Sequence, residues 1–169
     1  MPPFYELAVA RFIRTSSSPS SSEESRWAIA VTFNSSGSGS LLYQITGTRA
    51  DYALAAPASV TLSSPPSSPS SSISRSTNPS SPTHQNQSDS HGIPPGYRYV
   101  SKTAVGYADA ELLHSLHSTL AAIPIVHGDN AWGTHEWVMH GVDALRKVEG
   151  FLVEKHVSAQ WIKNELGEK

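Results

Sequence analysis

Apolar positions change period along this chain, from strand-like in the first hundred residues to helical in the last sixty. Residues 4–13 are rich in apolar and β-compatible side chains and run into a Ser-rich stretch, residues 16–22, that reads as an exposed loop. Residues 27–33 form a near-continuous apolar run, the pattern of a strand buried on both faces. Residues 34–40, with Gly37 and Gly39, make a flexible turn, short enough to predict an antiparallel hairpin into a third strand over 41–46. Residues 52–62 are a weaker strand interrupted by Pro57, and residues 97–100 predict another.

From Asp109 the spacing becomes helical: Leu112, Leu113, Leu116, Leu120 and Ile123 share one face, Asp109 suits the N-cap, and Pro124 stops the helix. A second helix is predicted from about Trp132 to Val148, with Val138, Gly141, Val142, Leu145 and Val148 on one stripe and Gly150 ending it. A last short helix over 158–166 places Trp161, Ile162 and Leu166 towards the core. Strands first and helices afterwards predict an α+β domain, an antiparallel sheet with two to three helices packed on one side.

Composition narrows this to one domain. Of 169 residues, 63–95 are almost wholly Ser, Pro, Thr, Asn and Gln, a mixture that buries too little apolar surface to offset its conformational entropy. Residues 1–62 and 96–169 are therefore read as two parts of the same domain, separated by a disordered insertion. Ser64-Pro65, Ser68-Pro69 and Ser81-Pro82 in that insertion, and Ser18-Pro19 in the earlier loop, suit proline-directed kinases; an unmodified spacer is the favoured reading.

A net charge of −2 with no basic run argues against nucleic acid as a partner. No run of about 18 apolar residues predicts a membrane-spanning segment. The apolar stretch in residues 1–13 lacks both a preceding basic segment and a small-residue cleavage site, so it does not read as a signal peptide and the expected location is cytoplasmic. The triplets beginning at Asn34 and Asn86 are then chance matches to a glycosylation pattern. The chain has no cysteine, which removes disulfides, thiolate metal sites and thiol catalysis together.

Thr134 lies four residues before Val138 and so on the inward side at the start of the second helix. Unpaired backbone N–H groups and the positive end of the helix dipole stabilise negative charge there, which is why reactive cysteines often occupy helix starts. Arg26-Trp27-Ala28-Ile29 on one strand, Gln44 on the next, and Gly133-Thr134-His135-Glu136-Trp137-Val138 at the helix start share this order with a known group. The pattern resembles the circularly permuted papain-like group that includes lecithin retinol acyltransferase and related phospholipid acyltransferases. There a strand of pattern His-Trp-Ala-(Ile/Leu) supplies the base, the next strand a polar third residue, and a helix beginning Asn-Cys-x-x-(Phe/Trp)-Val the nucleophile.

The resemblance implies a permuted papain-like fold in which Arg26 replaces the base and Thr134 the nucleophile. A guanidinium with a pKa above about 12 accepts no proton at neutral pH, and an alcohol is a weak nucleophile without an adjacent base. It therefore implies a non-catalytic member acting as a binding or regulatory module. Its old cleft around Arg26, Gln44 and Thr134 would hold a small anionic or polar ligand, with a protein partner as the other option and no cofactor.

Two other readings stay open. His127 or His135 could stand in as base for Thr134 with Asp129 as orienter, giving a hydrolase or acyltransferase. Alternatively, the protein acts as an interaction module through its Ser/Pro segment.

Metal sites are not expected. His135 and His140 are five apart, a rotation of about 140° on a helix, so they cannot converge as an i, i+4 pair does. His114 and His117, near Glu111, lack a further ligand.

Overall fold

The apolar runs near the N-terminus become the middle of one sheet. The computed structural model describes residues 4–15, 24–33, 39–62 and 92–168. The exposed-loop expectation at 16–22, most of the turn at 34–40, nearly all of the 63–95 insertion and every Ser-Pro site named above lie outside these residues.

β1 (Phe4–Arg14) and β2 (Ser25–Thr32) pair antiparallel, from Glu6–Thr32 to Ile13–Ser25. β3 (Ser40–Tyr43) continues the hairpin, pairing Ile29 with Tyr43 and Thr32 with Ser40. β4 (Ile45–Thr46) and β5 (Ala53–Leu54) form a separate two-stranded ribbon. β6 (Ala58–Val60), β7 (Tyr97–Asp109) and β8 (Phe151–Val153) complete the main sheet, in the order β6-β3-β2-β1-β7-β8 with every pair antiparallel. α1 (Leu113–Ala121), α2 (Thr134–Leu145) and α3 (Ala159–Glu165) pack on one side of it, so the α+β class is as the periodicity predicts.

Strand alternation explains why β2 is apolar throughout. Trp27, Ile29 and Val31 enter the core beneath the helices, while Ala28 and Ala30 join Ala10, Phe12, Leu42, Val60 and Leu62 on the opposite face. The three residues on the helix side bring α2 close, and Gly141 permits that approach. A Cβ there would meet Ile29 Cδ1 at 2.8 Å and Leu120 Cδ2 at 2.9 Å.

Capping follows the sequence. Asp109 accepts from the Glu111 N–H at 3.0 Å, although the turn it caps is 3-10 (Ala110–Leu112) and α1 begins only after it. Ser158 caps α3 by accepting from the Trp161 N–H at 3.2 Å.

Four boundaries differ from expectation. The strand at 97–100 extends to Asp109, because two register shifts against β1, between Leu7 and Ala8 and between Arg11 and Phe12, break the alternation that would have revealed it. β8 is three residues long and carries no periodicity to read. The strand at 41–46 divides at Gln44, its halves joining different sheets. The second helix is regular only over Thr134–Leu145; Lys147 and Val148 tighten into i−3 bonds to Ala144 and Leu145. No helix among the described residues is long and apolar enough to cross a membrane.

Candidate functional site

The last β2–β3 pair is Ile29–Tyr43; two residues earlier, the Trp27 N–H turns to α2 instead. It donates to Thr134 Oγ1 at 3.2 Å, and Thr134 is only 5% exposed. Gly133, the helix N-cap, has no side chain to cap the first turn, and the first intrahelical bond runs from the Trp137 N–H to Gly133 O at 3.0 Å. Trp137 and Val138, fully buried, anchor this turn in the core.

A cleft of about 770 Å³ opens beside it, between the start of β2, the loop at residues 48–52 and the start of α2. Arg26, Arg49, Tyr52, Thr134, His135 and Glu136 are among its walls. Arg26 is in phase with Ala28 and Ala30, so it leaves β2 on the face away from α2. Its Nη2 donates to Gly47 O at 2.7 Å and its guanidinium carbon lies 4.8 Å from the centre of the Tyr97 ring. The Tyr97 hydroxyl is pushed up from its ordinary value, first by burial and then by a hydrogen bond with Glu24. Arg49 Nη1 donates to Asn130 Oδ1 at 3.2 Å, and Arg49 O accepts from the Gly128 N–H at 2.9 Å, joining the cleft loop to the loop before α2.

Arg26 and Thr134 thus reach one cleft, whereas Gln44 does not. Gln44 is 6% exposed and its Nε2 donates to Gly92 O at 2.6 Å, outside the cleft walls. The substitute groups are dispersed. His127 Nε2 lies 2.9 Å from Tyr52 O, and Asp129 Oδ1 accepts from the Ala131 N–H at 2.8 Å, both holding loop shape.

His135 is in the cleft wall, but as the next residue on the helix it does not face Thr134. Its ring stacks on Trp27, with centroids 4.3 Å apart. Burial pushes its pKa below the ordinary value, against the pull of Glu168 and Glu136. Among the described residues no imidazole or carboxylate hydrogen-bonds to the Thr134 hydroxyl.

His114 Nδ1 lies 3.1 Å from Glu111 O, His117 sits beside Tyr43 with ring centroids 6.3 Å apart, and His140 is exposed on α2. Among the described residues no group of three or more His, Cys, Asp or Glu is arranged to hold a metal ion.

Arg49, Tyr52 and Glu136 were not singled out from sequence. Arg49 belongs to a loop without periodicity, Tyr52 to the start of the strand read over 52–62, and Glu136 reads as one more helix-surface acid; no local pattern marks them as cleft residues. No family model matches the chain, and neither does any curated protein or solved structure compared with it.

Proposed function

We propose that this is a non-catalytic domain of permuted papain-like descent, cytoplasmic, that binds a small anionic or polar ligand in the cleft between β2 and the start of α2. The observation that carries this reading is the commitment of the Thr134 hydroxyl to the Trp27 N–H at 3.2 Å, with no base bonded to it among the described residues, at the wall of an open cleft. An alcohol so placed lacks the proton acceptor that would make it a nucleophile. What the cleft wall carries is donors: the first-turn N–H groups of α2, to which the N-cap Gly133 brings no side chain, together with the guanidinium N–H groups of Arg26 and Arg49 beyond those bonded to Gly47 O and Asn130 Oδ1. Such an arrangement suits a carboxylate or phosphate. Glu136 on the same turn opposes a bare anion, which favours ligands with polar as well as anionic groups.

The test has two arms. Titration with inorganic phosphate and with acetate, followed by amide shifts of residues 133–136, is expected to give saturable changes that Arg49→Ala weakens. Turnover of acyl esters is expected to stay at the background rate. Ester turnover abolished by Thr134→Ala would establish the hydrolase reading instead, and amides indifferent to both anions would remove the binding reading.

A further inference from the structure

A second polar cluster lies behind His135, at the end of α3. Gly167, at φ +71°, follows the helix; its N–H donates to Asn164 O at 3.1 Å and the Glu168 N–H to Lys163 O at 2.9 Å, the bonds of a left-handed glycine closure. This turn sends the Glu168 side chain back to β2. There Oε1 accepts from Ser25 Oγ, from Trp27 Nε1 at 3.0 Å and pairs with Arg11 Nε at 3.1 Å. Arg11 Nη1 also donates to Leu166 O at 3.1 Å. The carboxylate is 12% exposed, and these donors compensate its burial. His135 Nε2 lies 3.9 Å from the same oxygen, is shielded from solvent although the side chain is 27% exposed, and has no hydrogen-bond partner among the described residues.

We propose that Glu168 is an acid-released latch, which holds the last turn of α3 against Trp27 and His135 while the imidazole is neutral and lets go when it is protonated. A neutral ring tolerates its buried Nε2 at modest cost. An imidazolium there carries a charge and a second N–H donor, and the Glu168 oxygen beside it is already engaged by two other donors and a guanidinium.

Among the described residues the charged groups acting on the ring are Arg11 on β1 and Lys163 on α3, which oppose protonation, and Glu136 on α2 and Glu168, which favour it; burial outweighs the favourable pair. With the latch open Nε2 also meets water, and the ring, already part-exposed in the cleft wall, titrates near its ordinary value of about 6.5. The open state therefore takes up a proton that the closed state resists. Opening is favoured as pH falls below about 6.5, by up to about tenfold per pH unit for one proton. This inference does not depend on the ligand reading, because no ligand enters it.

The reporter is the Trp27 indole N–H, whose acceptor is Glu168. Hydrogen exchange of that group in the full chain, corrected for the intrinsic rate, is expected to lose protection between pH 7 and 5 with the slope given above. In His135→Phe, which keeps a ring on Trp27 but takes up no proton, protection is expected to be flat across the range. Glu168→Gln is expected to lower protection already at pH 7.

His156 packs on Trp161 of α3, with centroids 4.7 Å apart, and is a second titratable ring beside that helix. His156→Phe is expected to retain the wild-type slope. A flat wild-type profile, an unchanged slope in His135→Phe, or loss of the slope in His156→Phe overturns the latch. Should His135→Phe fail to fold, as read from α1 amide protection, the wild-type His135 ring resonance decides. Titration below the ordinary histidine value supports the latch, and titration at that value overturns it.

Discussion

Replacing Thr134 with valine isolates one hydrogen bond at the junction of sheet and helix. The side chain keeps its shape but loses the oxygen that accepts from the Trp27 N–H, and Trp27 is 1% exposed, so water cannot substitute. A buried donor left unmet costs about 1–3 kcal/mol. For a chain of 169 residues this corresponds to a drop in Tm of about 2–12 °C, at roughly 2–4 °C per kcal/mol. Thr134→Ser keeps the oxygen and removes one methyl, a loss of about 1 kcal/mol.

The ranking is what discriminates. Valine buries more apolar surface than serine, so hydrophobicity alone places Thr134→Val above Thr134→Ser, and the hydrogen bond reverses that order. Urea denaturation followed by far-UV circular dichroism, with m-values checked for equality, reads both variants. A valine variant as stable as wild type, or more stable than the serine variant, refutes the structural role given to Thr134.

Three further outcomes are expected. Gly141→Val should cost about 1–3 kcal/mol by urea denaturation, because its branches press on Ile29 and Leu120; Gly141→Ala should cost less, since a gain in helix propensity of about 1 kcal/mol offsets the crowding. Gly150→Ala should lose at least about 1 kcal/mol by thermal melting, its φ of +91° being unfavourable for alanine and its Cβ falling 1.9 Å from Leu112 Cδ1. Burial raises the Tyr43 hydroxyl above its ordinary value of about 10, so the folded state holds that proton longer than the unfolded chain. Its contribution is full below pH 10 and is lost as pH rises from there towards the folded value; Tyr43→Phe should flatten the loss in alkaline chemical denaturation.

The sheet and helices were legible where one period ran uninterrupted. Trp27 to Val31 read as a strand buried on both faces, and its side chains divide between two cores. Leu116, Leu120, Val138, Val142 and Leu145 read as helix stripes and are buried. Legibility failed where backbone geometry overrode the period, as in the bulged β7 and at Gln44, where the chain leaves one sheet for another.

The site was half legible for a related reason. Thr134 and Arg26 could be placed from the elements that carry them. Arg49, Tyr52 and Glu168 reach their positions through loops and a helix terminus, and nothing local in their sequence says what they will face.

The position of β1 in the sheet has a consequence for synthesis. On one side Val9 pairs with Ile29, a neighbour available as soon as the first hairpin forms; on the other it pairs with Thr103, made much later. Until β7 emerges, the nascent hairpin presents β1 as an open edge of eleven residues, much of it apolar, with unpaired N–H and C=O groups in a row. Such an edge is a template for pairing with another chain. The N-terminal half is thus exposed to misassembly on the ribosome for as long as the intervening segment takes to translate, and truncated products ending before residue 97 are expected to aggregate.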